Sequence, residues 1–179
     1  MGTTTREYLL YVSRLEPENN AHIVIQAYRH VRTDKPLLIV GDAPYAHKYI
    51  ADLKANADSR VLFPGAIYGK GYRELQSHAY IYIHATEVGG THPALIEAMG
   101  AGNCVLVYDT PENREVVADC GLLFHDVDAL TAQIQRTVYN PAIVREYGDK
   151  ARARAQRLFS WDAVTDQYEN LFREMKASE

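Results

Sequence analysis

The chain has 179 residues, 47% of them hydrophobic and 23% charged, with a formal net charge of −4. That length and composition suit one ordinary soluble domain with a proper core, not a disordered or fibrous chain. The acidic balance gives no field to attract nucleic acid or an anionic membrane, no apolar run could span a bilayer, and Met1–Arg6 has no signal-peptide pattern.

A first strand is predicted at Tyr8–Val12, with no leader before it, followed by a polar loop from Ser13 to Asn20. Ala21 to Val31 carries Ile23, Ala27 and Val31 at helical spacing, and Leu37–Val40 is a continuous apolar run ended by Gly41-Asp-Ala-Pro44. Tyr45 to Ala57 reads as helix with Tyr49, Ile50 and Leu53 on one face. Val61–Phe63 reads as a short strand, Pro64 to Gly71 as a loop and Tyr72 to His78 as a short helix. Tyr80–His84 is rich in β-branched and aromatic residues, as a buried strand is. Later strands are predicted at Cys104–Tyr108 and Gly121–Phe124, with a short helix from Asn113 to Ala118 between them, and everything from Asp128 onward is helical. Cys104 and Cys120 make no disulfide framework and point to buried thiols in a reducing cytoplasm.

Short apolar strands without polar alternation, separated by helices, predict a parallel sheet covered on both faces. With right-handed crossovers this becomes a doubly wound, Rossmann-like α/β domain of six parallel strands and a terminal helical pair. Ligands in that architecture bind beyond the carboxyl ends of the strands. Ser13-Arg14, Gly41-Asp42, Phe63 to Tyr68 and Glu87 to Thr91 all lie at such ends, so four loops converge on one rim. The chain shows no internal repeat or linker and is read as a single domain over 1–179.

The richest of these stretches is Glu87-Val-Gly-Gly-Thr-His-Pro-Ala-Leu-Ile-Glu97-Ala-Met-Gly-Ala-Gly102. Gly89 and Gly90 allow a sharp turn and a close approach of ligand to backbone. Thr91 or His92 is placed to cap a helix that opens at Pro93, leaving free N–H groups directed at the glycines. Such a helix start attracts phosphate through its dipole and its unpaired donors. One turn on, Glu97 is the one charge in Pro93-Ala-Leu-Ile-Glu-Ala-Met-Gly-Ala101, placed to grip ribose hydroxyls while the phosphates rest on the helix start. The competing reading is a surface turn with a solvated glutamate.

In this order the motifs resemble the C-terminal, donor-binding half of a family 4 glycosyltransferase of GT-B fold. The resemblance runs from Tyr8 to about Phe172 and rests on seven segments in sequence. These are Tyr11-Val-Ser-Arg-Leu15, Leu38-Ile-Val-Gly-Asp-Ala-Pro44, Val61-Leu-Phe-Pro-Gly65, Gly89 through Gly102, Asn113-Arg-Glu-Val-Val117, Cys120-Gly-Leu-Leu-Phe124 and Phe159-Ser-Trp161. The wording also resembles bacterial rhamnosyltransferases of surface-polysaccharide assembly. What the resemblance implies is a retaining, metal-independent, hexosyl-type transferase with no cofactor, whose substrate is a TDP- or UDP-linked sugar. It implies a cytoplasmic protein, peripheral to the inner face of the membrane at full length. It also implies an N-terminal acceptor-binding domain that this chain lacks.

Residue by residue, the family has an Arg and, five positions later, a Lys on the donor pyrophosphate; here Arg14 fills the first place and Asn19 the second. Asn offers a neutral hydrogen bond where a cation would stand, so part of the phosphate charge must be met elsewhere. The family also has two glutamates eight positions apart. Glu97 matches the second, the ribose ligand, but Gly89 stands eight before it and Glu87 ten before. Either the first carboxylate, which lies near the transferred sugar, is absent, or a longer loop delivers Glu87 to its place. Ser13, Gly41 and the loop through Ile67 and Tyr68 correspond to segments that frame the donor, with Ile67 or Tyr68 as the neighbour of the base.

Other patterns are excluded. Gly65-Ala-Ile-Tyr-Gly69-Lys-Gly71 has three residues between glycines where a P-loop has four, and a glycine where a hydroxyl should follow the lysine. Asp126-Val-Asp128 copies a metal-binding acid pair but precedes a helix, where Asp is an ordinary cap. The seven histidines lack metal-ligand spacing, so no metal site is expected. Arg145, Arg152, Arg154 and Arg157 read as a solvated helix face. Trp161, Val164, Tyr168, Leu171, Phe172 and Met175 form an apolar stripe that is core or partner surface and makes self-association of this chain an expectation. Two other readings remain open at this point: another GT-B enzyme such as a sugar-nucleotide epimerase, or a non-catalytic nucleotide-binding module.

Overall fold

A computed structural model describes residues 7–177; Met1–Arg6 lies outside the described residues. Six strands form one sheet: β1 (Tyr8–Val12), β2 (Leu37–Val40), β3 (Val61–Gly65), β4 (Ala79–His84), β5 (Cys104–Tyr108) and β6 (Gly121–Phe124). Every pairing is parallel and the order is β3-β2-β1-β4-β5-β6. The chain thus builds outward from β1 to one edge, returns to the centre at β4 and builds to the other. All six residues of β4 are buried, which explains why it carries no polar alternation.

Helices α1 (Ala21–Arg29), α2 (His47–Asn56), α3 (Gly69–His78), α4 (Pro93–Gly100), α5 (Pro111–Val117) and α6 (Val127–Val138) connect or follow the strands, and α7 (Pro141–Leu158) and α8 (Trp161–Ala177) close the described chain. Alternate strand residues feed two cores. Leu9, Tyr11, Ile81, Ile83 and Leu106 pack with Val24, Ile25, Leu53, Leu130 and Ile134 on one face. Leu10, Tyr82, Val105 and Val107 pack with Leu95, Met99, Val116 and Ala151 on the other. Each such aliphatic side chain removed from water contributes about 1.5–3 kcal/mol before the entropy of ordering it is counted.

The structure differs from the sequence reading at several points, among them α5, which spans Pro111–Val117 and not Asn113 to Ala118. Pro64 and Gly65 belong to β3, because an edge strand tolerates a residue without an N–H. Helix α3 starts at Gly69, three residues early, despite two glycines in its first turn. The loop after β1 contains a 3-10 turn at Pro17–Asn19. Arg145, Arg152 and Arg157 are exposed, Arg152 also donating to the Ala101 carbonyl at 2.9 Å, but Arg154 is half-buried and donates to the Val116 and Glu115 carbonyls at 2.8 and 2.7 Å. These carbonyls end α4 and α5, so α7 supplies cations to two helix C-termini. The cap assigned to Asp126 is present, its carboxylate accepting from the Ala129 N–H at 2.7 Å. Cys104 and Cys120 are buried thiols in no disulfide. The α8 stripe faces outward, with Trp161 86% and Phe172 63% exposed.

Candidate functional site

The reversal of strand order falls between β1 and β4, and the loops leaving these two strands diverge above the sheet. A cleft of about 360 Å³ opens there. Ser13, Arg14, Asn19, Gly41, Ile67, Tyr68, His92 and Pro93 all line it, so the structure brings together eight of the residues singled out in the sequence. Glu87, Gly89, Gly90, Thr91 and Glu97 lie outside its lining. Asp42 and Val88, from two of the rim loops read in the sequence, line it too, as does His84 at the end of β4; Thr86 is a lining residue that the sequence reading did not name.

The cleft is shaped first by backbone. Gly41 has φ +148° and crosses so close to the first loop that a Cβ there would lie 1.8 Å from the Ser13 carbonyl oxygen. The crossing is held by Ser13 N–H donating to the Val40 carbonyl and by Gly41 N–H donating to that of Gly65, at 3.1 and 3.0 Å. Asn19 is buried, its Nδ2 donating to the Arg14 carbonyl at 2.9 Å, while its own carbonyl accepts from the Tyr11 hydroxyl at 2.7 Å. It therefore sets the path of the Arg14 loop. Arg14 itself reaches outward, its side chain 71% exposed and paired with Glu16 at 3.1 Å, with the Tyr45 hydroxyl beside both.

Across the strand-order reversal the two loops are laced together. Asn20, in the left-handed region at φ 56°, donates from Nδ2 to the Ala85 carbonyl at 3.1 Å and to the Glu87 carboxylate at 3.3 Å. Glu87 N–H in turn donates to the Glu18 carbonyl at 3.1 Å. Glu87 is thus exposed on the seam, tied to Asn20. Asn113 fixes the far side, donating to the Thr86 and Tyr108 carbonyls at 3.0 and 2.9 Å.

Helix α4 begins at the cleft wall with Pro93 in its first turn and His92 at the N-cap. Neither the Thr91 nor the His92 side chain caps it; Pro93 carries no N–H and the Leu95 and Ile96 N–H groups donate to the His92 carbonyl at 3.1 and 3.3 Å, which leaves the Ala94 N–H without a helix acceptor in this first turn. Gly89 takes φ +122°, and a Cβ there would touch the His92 ring at 3.0 Å; Gly90 is not among the positive-φ residues. The His92 ring lies 4.8 Å from that of His84, which is also stacked with the Tyr82 ring at 6.5 Å. His84 is 3% exposed and its Nε2 has no hydrogen-bond partner.

Burial, then the neighbouring His92, hold His84 down to about 3, and burial lowers His92. A buried base whose folded pKa is depressed stabilises the fold where the unfolded side chain is neutral, and that stability fades as pH drops below the unfolded value. Between about pH 6.5 and pH 5 the loss from His84 alone is expected to be about 1.5 kcal/mol. Urea unfolding of the parent and of His84→Gln across this window should show a steeper loss in the parent; parallel curves would refute the assignment.

Glu97 stands at the second turn of α4, exposed, with its Oε2 accepting from the Tyr72 hydroxyl at 2.7 Å; Gln76 Nε2 donates to that hydroxyl at 2.5 Å. Burial and then the Glu97 carboxylate push the Tyr72 phenol up, so it stays a donor. The pair Tyr72–Gln76 at one turn's spacing was a signal available in the sequence for a residue that orients Glu97. Among the described residues no group of three or more His, Cys, Asp or Glu is placed to hold a metal ion. None of their helices is long and apolar enough to cross a membrane.

An open parallel sheet with a cleft at its strand-order reversal, and a helix start without a side-chain cap on the cleft wall, defines a doubly wound α/β domain with a candidate ligand site. The chain belongs to the glycosyl transferases group 1 family, whose model matches residues 6–140. It is 27% identical to the O-antigen chain mannosyltransferase B of Escherichia coli, over 93% of this chain and 45% of that protein. Sucrose-phosphate synthase from Thermosynechococcus elongatus superposes with a TM-score of 0.84 at 27% identity, covering 97% of this chain and 46% of the other. The Anabaena protein HepE in complex with UDP superposes with a TM-score of 0.86 at 20% identity, over 94% of this chain and 49% of its own. The chain spans less than half the length of the curated relatives it matches.

Proposed function

We propose that this chain is the donor-binding half of a retaining, metal-independent glycosyltransferase of bacterial surface-polysaccharide synthesis, holding a TDP- or UDP-linked sugar. The observation that carries the reading is the juxtaposition, in a member of this family, of the uncapped α4 start with Arg14 in one cleft at the strand-order reversal. Amides at a helix start and a guanidinium are the donors a diphosphate calls for. In this reading Ile67 and Tyr68 flank the base, Glu97 holds the ribose hydroxyls, and Ser13, Gly41 and the turn from Gly89 to Pro93 surround the phosphates. Asn19 acts by fixing the Arg14 loop, and Glu87 comes to the sugar through a shift of the seam loop.

The polysaccharide role is supported by the Escherichia coli mannosyltransferase, and the nucleotide by the UDP found in HepE. Rhamnose as the transferred sugar rests on the motif wording alone. The acceptor belongs to a second, N-terminal domain outside this chain, and α8 with its exposed Tyr168, Leu171 and Phe172 is the surface that this domain covers or through which isolated chains pair. The enzyme works in the cytoplasm, peripheral to the inner membrane face.

Calorimetric titration with TDP and UDP tests the reading. Binding should weaken by about 1.5–3 kcal/mol in Arg14→Ala and in Glu97→Ala, the usual size of a lost charge-assisted hydrogen bond. If both variants bind like the parent, the site lies elsewhere.

A further inference from the structure

The charge inventory of the cleft is short. Its lining carries one guanidinium, Arg14, already paired with Glu16, and one carboxylate, Asp42, so the wall is close to neutral as it stands. A nucleotide-sugar diphosphate brings two negative charges that do not titrate near neutral pH. Helix α4 supplies partial positive charge at its start, and the ionisable groups standing there are the two histidines. His92 is half-buried at the N-cap, whereas His84 behind it is enclosed, with an unpartnered Nε2.

We propose that His92 is the switchable cation of this cleft, taking up one proton when the diphosphate binds and donating from its ring to a phosphate oxygen. The inference rests on the donor-binding reading above and adds to it a role that titrates. The geometry selects His92 over His84: a ring partly open to the cleft mouth is cheaper to charge than one sealed against Tyr82. In the free protein burial disfavours the charged form of His92, so the ring has a proton to gain when the ligand binds. The His84 ring on β4 lies against His92; Arg14, Tyr68 and Asp42 line the same cleft, and Glu97 lies little more than one turn along α4. Arg14 opposes the uptake and Asp42 favours it, leaving the two ligand charges to decide. His84 stays neutral in both states, a fixed dipole behind a moving charge.

Titration of this chain with UDP-glucose and TDP-glucose, in buffers of differing ionisation enthalpy, reads the proton directly. These diesters keep their charge between about pH 6 and pH 8, so any uptake belongs to the protein. The expected result is uptake approaching one proton, with affinity falling up to about tenfold per pH unit as pH rises through that window. His92→Gln, which keeps a side-chain donor but cannot titrate there, should bind with a flat profile and no uptake. Binding without proton uptake, or an unchanged pH slope in His92→Gln, overturns the inference and leaves the donor-binding reading intact. No binding of either sugar nucleotide at any pH overturns both.

Discussion

Gly41→Ala is expected to cost about 3 kcal/mol of stability and to abolish tight nucleotide binding together. Two effects act at once: a φ of +148° is strained for any residue with a Cβ, and the new methyl would fall 1.8 Å from the Ser13 carbonyl oxygen. No rotamer relieves that clash, because both partners are backbone. Relief requires the Ser13-Arg14 loop to lift from β2, breaking the Ser13–Val40 hydrogen bond and moving Arg14. Gly100→Ala is the control. Gly100 lies within α4, a Cβ there meets nothing within 4 Å, and alanine in a helix is favoured by about 0.5–1 kcal/mol. Thermal melts and calorimetry of the two variants decide the matter; a Gly41→Ala protein that melts like the parent would show that the loop yields freely.

The second large effect concerns turnover. The isolated 179-residue chain is expected to bind sugar nucleotide and yet transfer no sugar above the hydrolysis background. The cleft is open to solvent, and in the reading proposed above the acceptor is held by a domain outside this chain. Positioning the acceptor and drying the site are worth orders of magnitude in rate, and both require a second wall. In the donor-binding reading proposed above, Arg14 and the start of α4 hold the diphosphate, so binding is expected to survive where turnover does not. Supplying the remainder of the full-length enzyme should restore transfer. Glycosyl transfer by this chain alone, to any acceptor, would refute the expectation and mean that it carries its own acceptor site.

Much of the fold was legible because parallel strands advertise themselves. Tyr8–Val12, Leu37–Val40, Cys104–Tyr108 and Gly121–Phe124 are continuous apolar runs bounded by turn residues, and each is observed with the predicted ends. The errors came where position in the sheet overrides propensity. Pro64 is admitted to β3 since β3 is an edge, and nothing in Phe63-Pro-Gly65 says that it would be. Arg154 looked solvated because the carbonyls it caps lie nearly forty residues away in sequence. At the site, strand-end loops and glycines were readable from spacing alone, as was the helix start. The buried partnership of Asn19 with Arg14 was not, since an asparagine in a polar loop gives no sign of which carbonyl it will hold. His84 hid for the opposite reason: at the end of an apolar strand its burial is expected, but its missing partner is visible only in three dimensions.

The sheet has one further consequence, for the order in which the molecule can assemble. β1, β2 and β3 are built by short crossovers, as are β4, β5 and β6, so each trio can form from nearby chain. The central pairing is different: Leu9 meets Ile81 and Tyr11 meets Ile83 only after the whole intervening segment is closed into a loop. The cleft lies on that join, with Ser13 and Arg14 from one trio and His84 and His92 from the other. A chain with both trios folded but undocked therefore contains nearly every residue of the site and no site at all. A ligand spanning the join, touching both sides, binds the docked arrangement and not the undocked one, so its affinity is in part a measure of how firmly the two trios hold together.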